Sequence, residues 1–119
     1  MAIVIKRIYE PASSRDGYRV LVDRLWPRGV SKAKAAVDLW LREVAPSAAL
    51  RIWFKHDPAR WTEFRARYRA ELRQHARVFA PLLAKANRGR LTLLYSARDA
   101  RHNQAVVLKN FLSTRGETE

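Results

Sequence analysis

The chain contains no cysteine and only four glycines, and both shortages exclude whole classes of chemistry. Without cysteine there can be no disulfide, no thiolate metal ligand and no cysteine nucleophile. The glycines stand at positions 17, 29, 89 and 116 and form neither GxGxxG nor a Walker motif, so the chain has no glycine-rich phosphate loop. No GxSxG motif surrounds Ser96, which argues against a serine hydrolase.

Long apolar runs and export signals are also missing. No stretch approaches the ~18 residues that a membrane-spanning helix needs. Residues 1–7 carry their charge after their apolar part, and no small-residue cleavage site follows. We therefore expect a cytoplasmic protein that does not bind membranes. The three histidines lack the spacing of metal ligands, so we expect no metal and no cofactor.

Length and composition indicate a globular protein. With 119 residues, of which 48% are hydrophobic and 29% charged, the chain can bury one sizeable core. We expect a single domain over residues 1–119 with an ordered core of about residues 2–113, because the segment after Ser113 is polar. The sequence leaves the oligomeric state open.

The net charge of +13 comes mostly from arginine and allows two interpretations. A basic surface can serve to bind nucleic acid or another polyanion. Alternatively, an arginine-rich coding background can supply solvated arginines without a special role. The arginines are spread along the whole chain and are not gathered in one arm, which favours the second interpretation.

The amino-terminal half predicts two strands and one helix. β-Branched and apolar residues predict strands over residues 2–9 and 18–25, separated by turn residues. Ser31 is a suitable N-cap for a helix that ends at Pro46, followed by a short turn opened by Ser47. The apolar stripe of that predicted helix consists of Ala33, Ala36, Val37, Trp40, Leu41 and Val44.

The carboxyl-terminal half predicts three helices and a strand. Asp57-Pro58 is a typical helix start, a break near residues 75–78 divides two helices, and Gly89 ends the second. A buried strand over residues 91–95 precedes a last helix capped by Asp99 or a neighbour. The order β-β-α-α-α-β-α predicts a three-layer α/β domain, with a small, mostly parallel sheet flanked by helices.

Polar residues at two strand ends predict a ligand site. Asp23, Arg24 and Arg28 follow one strand, while Tyr95 and Ser96 stand at the end of another. The carboxyl ends of parallel neighbours meet at one edge, where α/β proteins bind ligands. The last helix, with Asn103 in its first turn, would point its positive end at the same place.

Such a cluster would suit a small anion that bears phosphate or carboxylate. In that arrangement Arg24 and Arg28 would hold the anion, and Asp23 would orient one of the arginines. His56 or His102 would transfer protons if the protein is an enzyme, which the sequence does not decide. An ion pair of Asp23 with an arginine could instead simply fix a loop.

A basic helix surface offers a second reading of function. Arg65, Arg69 and Arg73 recur at intervals of four within the segment Arg60–Arg77. Such a row could track the phosphates of a nucleic acid, but the sequence favours a solvated face.

Several short motifs along the chain match those of a known family. They are residues 23–29, 38–40 and 53–58, Tyr68, Glu71-Leu72, residues 93–97 and His102-Asn103. These motifs resemble the YeaO-like family, a bacterial and archaeal domain of unknown function, and the resemblance covers the chain from the first strand to about Leu112. It implies a compact cytoplasmic α/β domain and carries over no catalytic residue.

Overall fold

Strands and helices cover most of the chain. The computed structural model describes the backbone of residues 2–118 and the side chains of residues 2–115. Its strands are β1 (Ala2–Arg7), β2 (Tyr18–Leu21), β3 (Leu39–Trp40) and β4 (Arg90–Tyr95). Its α-helices are α1 (Lys32–Ala35), α2 (Ala48–Phe54), α3 (Trp61–Arg73), α4 (Ala76–Arg88) and α5 (Gln104–Thr118). Short 3₁₀ turns cover Ser14–Asp16, Arg42–Val44 and Pro58–Arg60.

All strands of the sheet are parallel, in the order β1-β4-β2-β3. β4 lies between β1 and β2, with Leu91 opposite Ile3 and Leu94 opposite Leu21. The first two strands therefore do not pair with each other although they are consecutive in the chain. The predicted α/β fold with a small parallel sheet is confirmed.

Helices and loops cover the two faces of the sheet unequally. Val20, Leu91 and Leu93 point to the face on which α2, α3, α4 and α5 form the main core. Leu21 and Leu94 point to the other face, where α1 and loops form a thin third layer. Residues of the main core that are almost fully buried include Phe64, Tyr68, Leu82, Leu108 and Leu112. No helix of the described residues is long and apolar enough to cross a membrane.

The structure contradicts the long helix predicted after Ser31. Ser31 does cap α1, but this helix ends at Ala35, and Ala36 takes a left-handed conformation with φ of 48°. The guanidinium of Arg19 fixes this end, because it donates to the carbonyls of Ala35 at 2.7 Å and Ala36 at 3.1 Å. The chain then forms β3 beside β2 and the 3₁₀ turn Arg42–Val44. The apolar residues that predicted one helix between Ser31 and Pro46 therefore belong in part to a strand and a turn.

Most local signals in the carboxyl-terminal half are confirmed, but the prediction that Asp99 or a neighbour caps the last helix is wrong, because Asp99 accepts from Arg101 and His102 in the turn before it. Asp57 caps the 3₁₀ turn before α3 by accepting from the N–H of Ala59 at 3.0 Å. α3 and α4 separate after Arg73, as the break predicts. The cap of α5 is Asn103, whose side-chain oxygen accepts from the N–H of Val106 at 3.2 Å. α5 continues through Thr118.

A largely buried ion network joins β1 to the start of β2. Asp16 accepts from Lys6 at 3.1 Å and from the guanidinium of Arg19, which is only 4% exposed. Burial raises the pKa of Asp16, but hydrogen bonds from Ser13, Lys6 and Arg19 outweigh burial and leave the pKa below its ordinary 3.8. Because Lys6, Asp16 and Arg19 bind one another and lie outside the lining of the candidate site, we assign this network a structural role.

Candidate functional site

The carboxyl ends of β2 and β4 lie side by side, as the sequence predicted. Leu21 is opposite Leu94, and the N–H of Val22 donates to the carbonyl of Leu94 at 3.0 Å. Directly beyond this ladder, Asp23 meets Ser96. The carboxylate of Asp23 accepts from the backbone N–H of Ser96 at 3.1 Å and from its hydroxyl.

Asp23 also connects these strand ends to two further elements. Its second carboxylate oxygen accepts from the side-chain amide of Gln104, at the start of α5. Its backbone carbonyl accepts from the indole N–H of Trp40 in β3 at 2.8 Å. Asp23 is 9% exposed, and burial raises its pKa although the bonds from Ser96 and Gln104 oppose the rise.

The expected pairing of Asp23 with an arginine does not occur. No arginine among the described residues forms an ion pair with Asp23, and both carboxylate oxygens are taken by Ser96 and Gln104. Asp23 therefore fixes the walls of the site and does not orient Arg24 or Arg28.

A cleft of about 530 Å³ opens beside these strand ends. The loop after β2, the helix α2 and the connection from β4 to α5 form its walls. Its polar and basic lining includes Asp23, Arg24, Arg28, Arg51, His56 and Ser96. Its apolar lining includes Pro46, Phe54, Phe64 and Ala97.

The arginines of the lining differ in how they are held. Arg24 is half-buried, and one of its terminal nitrogens donates to the carbonyl of Pro46 at 3.1 Å. Its Nε is buried and has no hydrogen-bond partner among the described residues. Arg28 and Arg51 are exposed. One guanidinium is thus anchored in the wall, while the other two belong to exposed residues of the lining.

His56 reaches the cleft through an unusual backbone. Lys55 and His56 have φ of 49° and 55°, so two consecutive residues other than glycine are left-handed. This conformation costs about 1–3 kcal/mol per residue and is concentrated at functional sites. Lys55 ends α2, and the N–H of Asp57 closes the turn on the carbonyl of Phe54 at 3.0 Å. The turn places the exposed His56 in the cleft lining.

Asn103 lines the cleft but is occupied by structural bonds. Besides capping α5, it donates from its amide to the carbonyl of Asp99 at 2.9 Å, and it is 1% exposed. Its side chain therefore positions the start of α5, which carries Gln104 to Asp23. This arrangement leaves little of the Asn103 amide for a ligand.

Two of the predicted site residues do not line the cleft. Tyr95 points to the main core, because alternate residues of β4 face opposite sides of the sheet, and burial raises its pKa. His102 lies with its ring edge against Trp61, at 5.1 Å between centroids, and its Nδ1 is 2.8 Å from a carboxylate oxygen of Asp99. The structure therefore brings together Asp23, Arg24, Arg28, Ser96, Asn103 and His56, without Tyr95 or His102.

The sequence prediction missed several residues of the lining. Arg51 and Ile52 belong to α2, which the sequence predicted only as a short turn, so no helical face was considered there. Ser47 was the available signal, because an N-cap implies that a helix follows. Gln104 was missed although it stands next to Asn103, since only the fold brings its amide to Asp23.

The described residues contain no group of three histidine, aspartate or glutamate side chains that could hold a metal ion. The lining instead combines guanidinium groups with one carboxylate whose oxygens already accept from other side chains. This arrangement suits an anionic group.

Fold and cleft define an α/β protein with a parallel sheet and an arginine-lined cleft at the strand ends. The chain belongs to the family described as "Inactive DUF488-N3 subclade", whose model matches residues 2–119. The "Uncharacterized protein YeaO" of Escherichia coli is 46% identical over 112 residues, which cover 94% of this chain and 97% of that protein. The YeaO-like resemblance is therefore confirmed.

Mycobacterial proteins are similar over nearly the same length. The "Uncharacterized protein Rv3073c" of Mycobacterium tuberculosis and the "Uncharacterized protein Mb3100c" of Mycobacterium bovis are each 40% identical over 111 residues. These matches cover 93% of this chain and 93% of each relative. No solved structure matches the chain.

Proposed function

We propose that this protein binds a small anionic ligand, bearing phosphate or carboxylate, in the cleft at the strand ends, and does so in the cytoplasm. The observation that supports this is the charge of the lining. Arg24, Arg28 and Arg51 line the cleft, while the oxygens of its one described carboxylate, Asp23, are taken up by Ser96 and Gln104. The cleft thus has more cationic groups than its own acid can satisfy.

Arg24 is the residue best placed to bind the anion. A guanidinium has five N–H groups, and Arg24 uses one nitrogen to bind the carbonyl of Pro46. That bond anchors the planar group, so less side-chain entropy is lost when a carboxylate or phosphate accepts from it. Arg28 and Arg51 would then close on the anion from the mouth of the cleft.

Two features favour binding over turnover. The family is described as inactive. Within the cleft, the hydroxyl of Ser96 donates to Asp23, so it is not hydrogen-bonded to a histidine that could activate it as a nucleophile. Any proton transfer to a bound ligand would involve His56, because His102 lies outside the lining.

Calorimetric titration with inorganic phosphate and acetate tests the proposal. We expect binding that weakens at least tenfold in Arg24→Gln and by a smaller factor in Arg51→Gln, since removing a charge-assisted hydrogen bond costs about 1.5–3 kcal/mol. Arg73→Gln, at the exposed end of α3, is the matched control and keeps the wild-type affinity.

Thermal melting of each variant separates a binding defect from an unfolded protein. Because Arg51 is exposed and its side chain is not needed for the core, Arg51→Gln provides a readout even if Arg24→Gln fails to fold. The proposal fails if wild-type protein binds neither anion. It also fails if both cleft variants bind as well as Arg73→Gln.

Nucleic-acid binding by the Arg60–Arg77 surface is the second candidate. Arg67 and Arg73 are exposed there, but several of these arginines already serve the fold. Arg67 pairs with Glu63 at 2.8 Å, and the guanidinium groups of Arg60 and Arg67 lie over the ring of Trp53 at 5.2 and 4.5 Å. Fewer arginines of this surface are therefore available to bind phosphates than the sequence suggests. For this reason nucleic-acid binding is the second candidate function.

Salt dependence distinguishes the two candidates. Binding of duplex DNA by this surface would lose roughly 0.9 units of log K for each tenfold increase in salt and each phosphate contacted. Arg73→Gln would reduce that slope by about one such contact. Absent binding at physiological salt, or a slope that Arg73→Gln does not change, would remove the second candidate.

A further inference from the structure

Three large hydrophobic side chains are exposed among the residues described with side chains; two of them line the cleft and the third adjoins it. Leu25 is 68% exposed and Ile52 66%, and both line the cleft. Tyr9, 46% exposed, adjoins the cleft because its hydroxyl donates to the carbonyl of Arg28 at 3.0 Å. Scattered exposed hydrophobic residues need no explanation, but a cluster around a cleft marks a binding surface.

Each exposed aliphatic side chain follows an arginine of the lining. Leu25 follows Arg24 in the loop after β2, and Ile52 follows Arg51 in α2. The apolar side chains Pro46, Phe54, Phe64 and Ala97 line the same space. Charged and apolar groups are therefore combined on both walls of the cleft.

The volume of the cleft also exceeds what a single inorganic anion needs. Clefts of about 300–1,000 Å³ hold ligands of drug-like size, and this cleft measures about 530 Å³. A phosphate or carboxylate group held by Arg24 would leave most of the apolar lining uncovered. A ligand that also covers Leu25, Ile52 and Phe54 gains the free energy of removing their surfaces from water.

We propose that the ligand is an amphipathic anion: a carboxylate or phosphate monoester joined to an aliphatic or aromatic body. This inference rests on the proposed function, because the anionic group occupies the site given to it there, at Arg24 with Arg28 and Arg51. The apolar body lies along Phe54 and Phe64 and is covered at the mouth by Leu25 and Ile52. The ligand class is thus defined by both halves of the lining.

A series of monoalkyl phosphates, from methyl to octyl and kept below their micelle concentrations, tests this inference against inorganic phosphate. Burial of a methylene group can tighten binding up to about fourfold. We expect the Kd to fall about two- to fourfold per added methylene until the cleft is filled, and then to level off. The matching alkyl carboxylates distinguish a phosphate head from a carboxylate head.

Substitutions in the apolar wall of the cleft test where the alkyl chain of the ligand lies. Leu25→Ser and Ile52→Ser should flatten the dependence of Kd on chain length while inorganic phosphate binds as to wild type. Ile52→Leu is the matched control, because it keeps an aliphatic surface at the same place and retains the dependence. Both positions are exposed, so their substitution leaves the core intact.

The outcomes separate this inference from the proposed function. If inorganic phosphate binds through Arg24 but longer chains bind no tighter, the inference is overturned and anion binding stands. If the chain-length dependence survives in the Leu25→Ser/Ile52→Ser double variant, the apolar body does not lie on this wall and the inference is likewise overturned. If neither phosphate nor any alkyl phosphate binds, both proposals fail.

Discussion

The carboxylate of Asp23 accepts hydrogen bonds from both the backbone N–H and the hydroxyl of Ser96, although the two residues are 73 positions apart. This contact joins the end of β2 to the end of β4, and the bond from Gln104 adds the start of α5. The walls of the cleft therefore share one buried acceptor. Changes at Asp23 or Ser96 should affect stability and ligand affinity together.

Ser96→Ala should make the stability more dependent on pH. The folded pKa of Asp23 lies above the ordinary 3.8 because burial raises it, so the folded protein keeps a proton that the unfolded chain has released. The contribution of Asp23 to the free energy of unfolding is then greatest in acid, and it falls as the pH rises above 3.8 and through the folded pKa. Loss of the Ser96 hydroxyl raises the pKa further and widens that window.

Urea unfolding of wild type and Ser96→Ala at about pH 4 and pH 7 measures this effect. We expect a deficit of about 1–2 kcal/mol at neutral pH and a smaller one in acid, because the lost bond is stronger when Asp23 is ionised. If Ser96→Ala loses more unfolding free energy in acid than at neutral pH, the Ser96 hydroxyl does not stabilise the ionised form of Asp23.

Asp16 should contribute to stability with the opposite dependence on pH, and Asp16→Asn tests this. Hydrogen bonds from Ser13, Lys6 and Arg19 hold the pKa of Asp16 below 3.8 despite burial, so its stabilisation is present above 3.8 and is lost as pH falls below it. The substitution leaves Arg19 buried without its counter-ion and should cost on the order of 3 kcal/mol at neutral pH. Glu63→Gln breaks an exposed pair and serves as the control, with an expected cost under about 1 kcal/mol. Equal costs would show that burial of Arg19 is not the cause.

Gly17→Ala and Gly29→Ala form a second matched pair. Both glycines have positive φ, 66° and 76°, so alanine is strained at either position by about 1 kcal/mol. At Gly17 the new Cβ would also lie 2.3 Å from the carbonyl oxygen of Arg90, whereas at Gly29 it meets nothing within 4 Å. We expect Gly17→Ala to lower the melting temperature clearly more than Gly29→Ala, and similar melting temperatures would argue against this close approach of β4.

Lys55→Gly should stabilise the protein. Glycine adopts the left-handed conformation at the end of a helix without the cost that lysine has there, so we expect a gain of about 0.5–1 kcal/mol in unfolding free energy. Ala70→Gly, exposed in the middle of α3, is the control of opposite sign and should lose about 1 kcal/mol. Since Lys55 does not line the cleft, anion affinity should stay unchanged; destabilisation by Lys55→Gly would mean that its side chain makes a contact that matters.

Local signals predicted much of this fold correctly. Asp57 before Pro58 marks the approach to α3, and a short, mostly apolar run marks β4, because both features depend on neighbours in the chain. The meeting of the ends of β2 and β4 could also be predicted, since parallel strands joined by helices bring their carboxyl ends to one edge. Because Asp23 and Ser96 follow these strand ends, much of the cleft lining could be predicted from the sequence.

Long-range contacts explain the failures. The guanidinium of Arg19 ends α1 by binding the carbonyls of Ala35 and Ala36, and no residue near Ala36 indicates this. β3 has two residues, too few to show a period, and exists because it lies beside β2. Tyr95 was assigned to the site because it stands at a strand end, but the alternation of β4 turns its ring into the core.

The central position of β4 has a consequence for synthesis on the ribosome. β4 pairs with β1 over six positions and with β2 over four, yet it begins only at Arg90. A nascent chain that ends before this strand holds only the two-position ladder between β2 and β3. The sheet therefore closes only once β4 has been translated, and a polypeptide truncated at Gly89 should remain unfolded and be degraded.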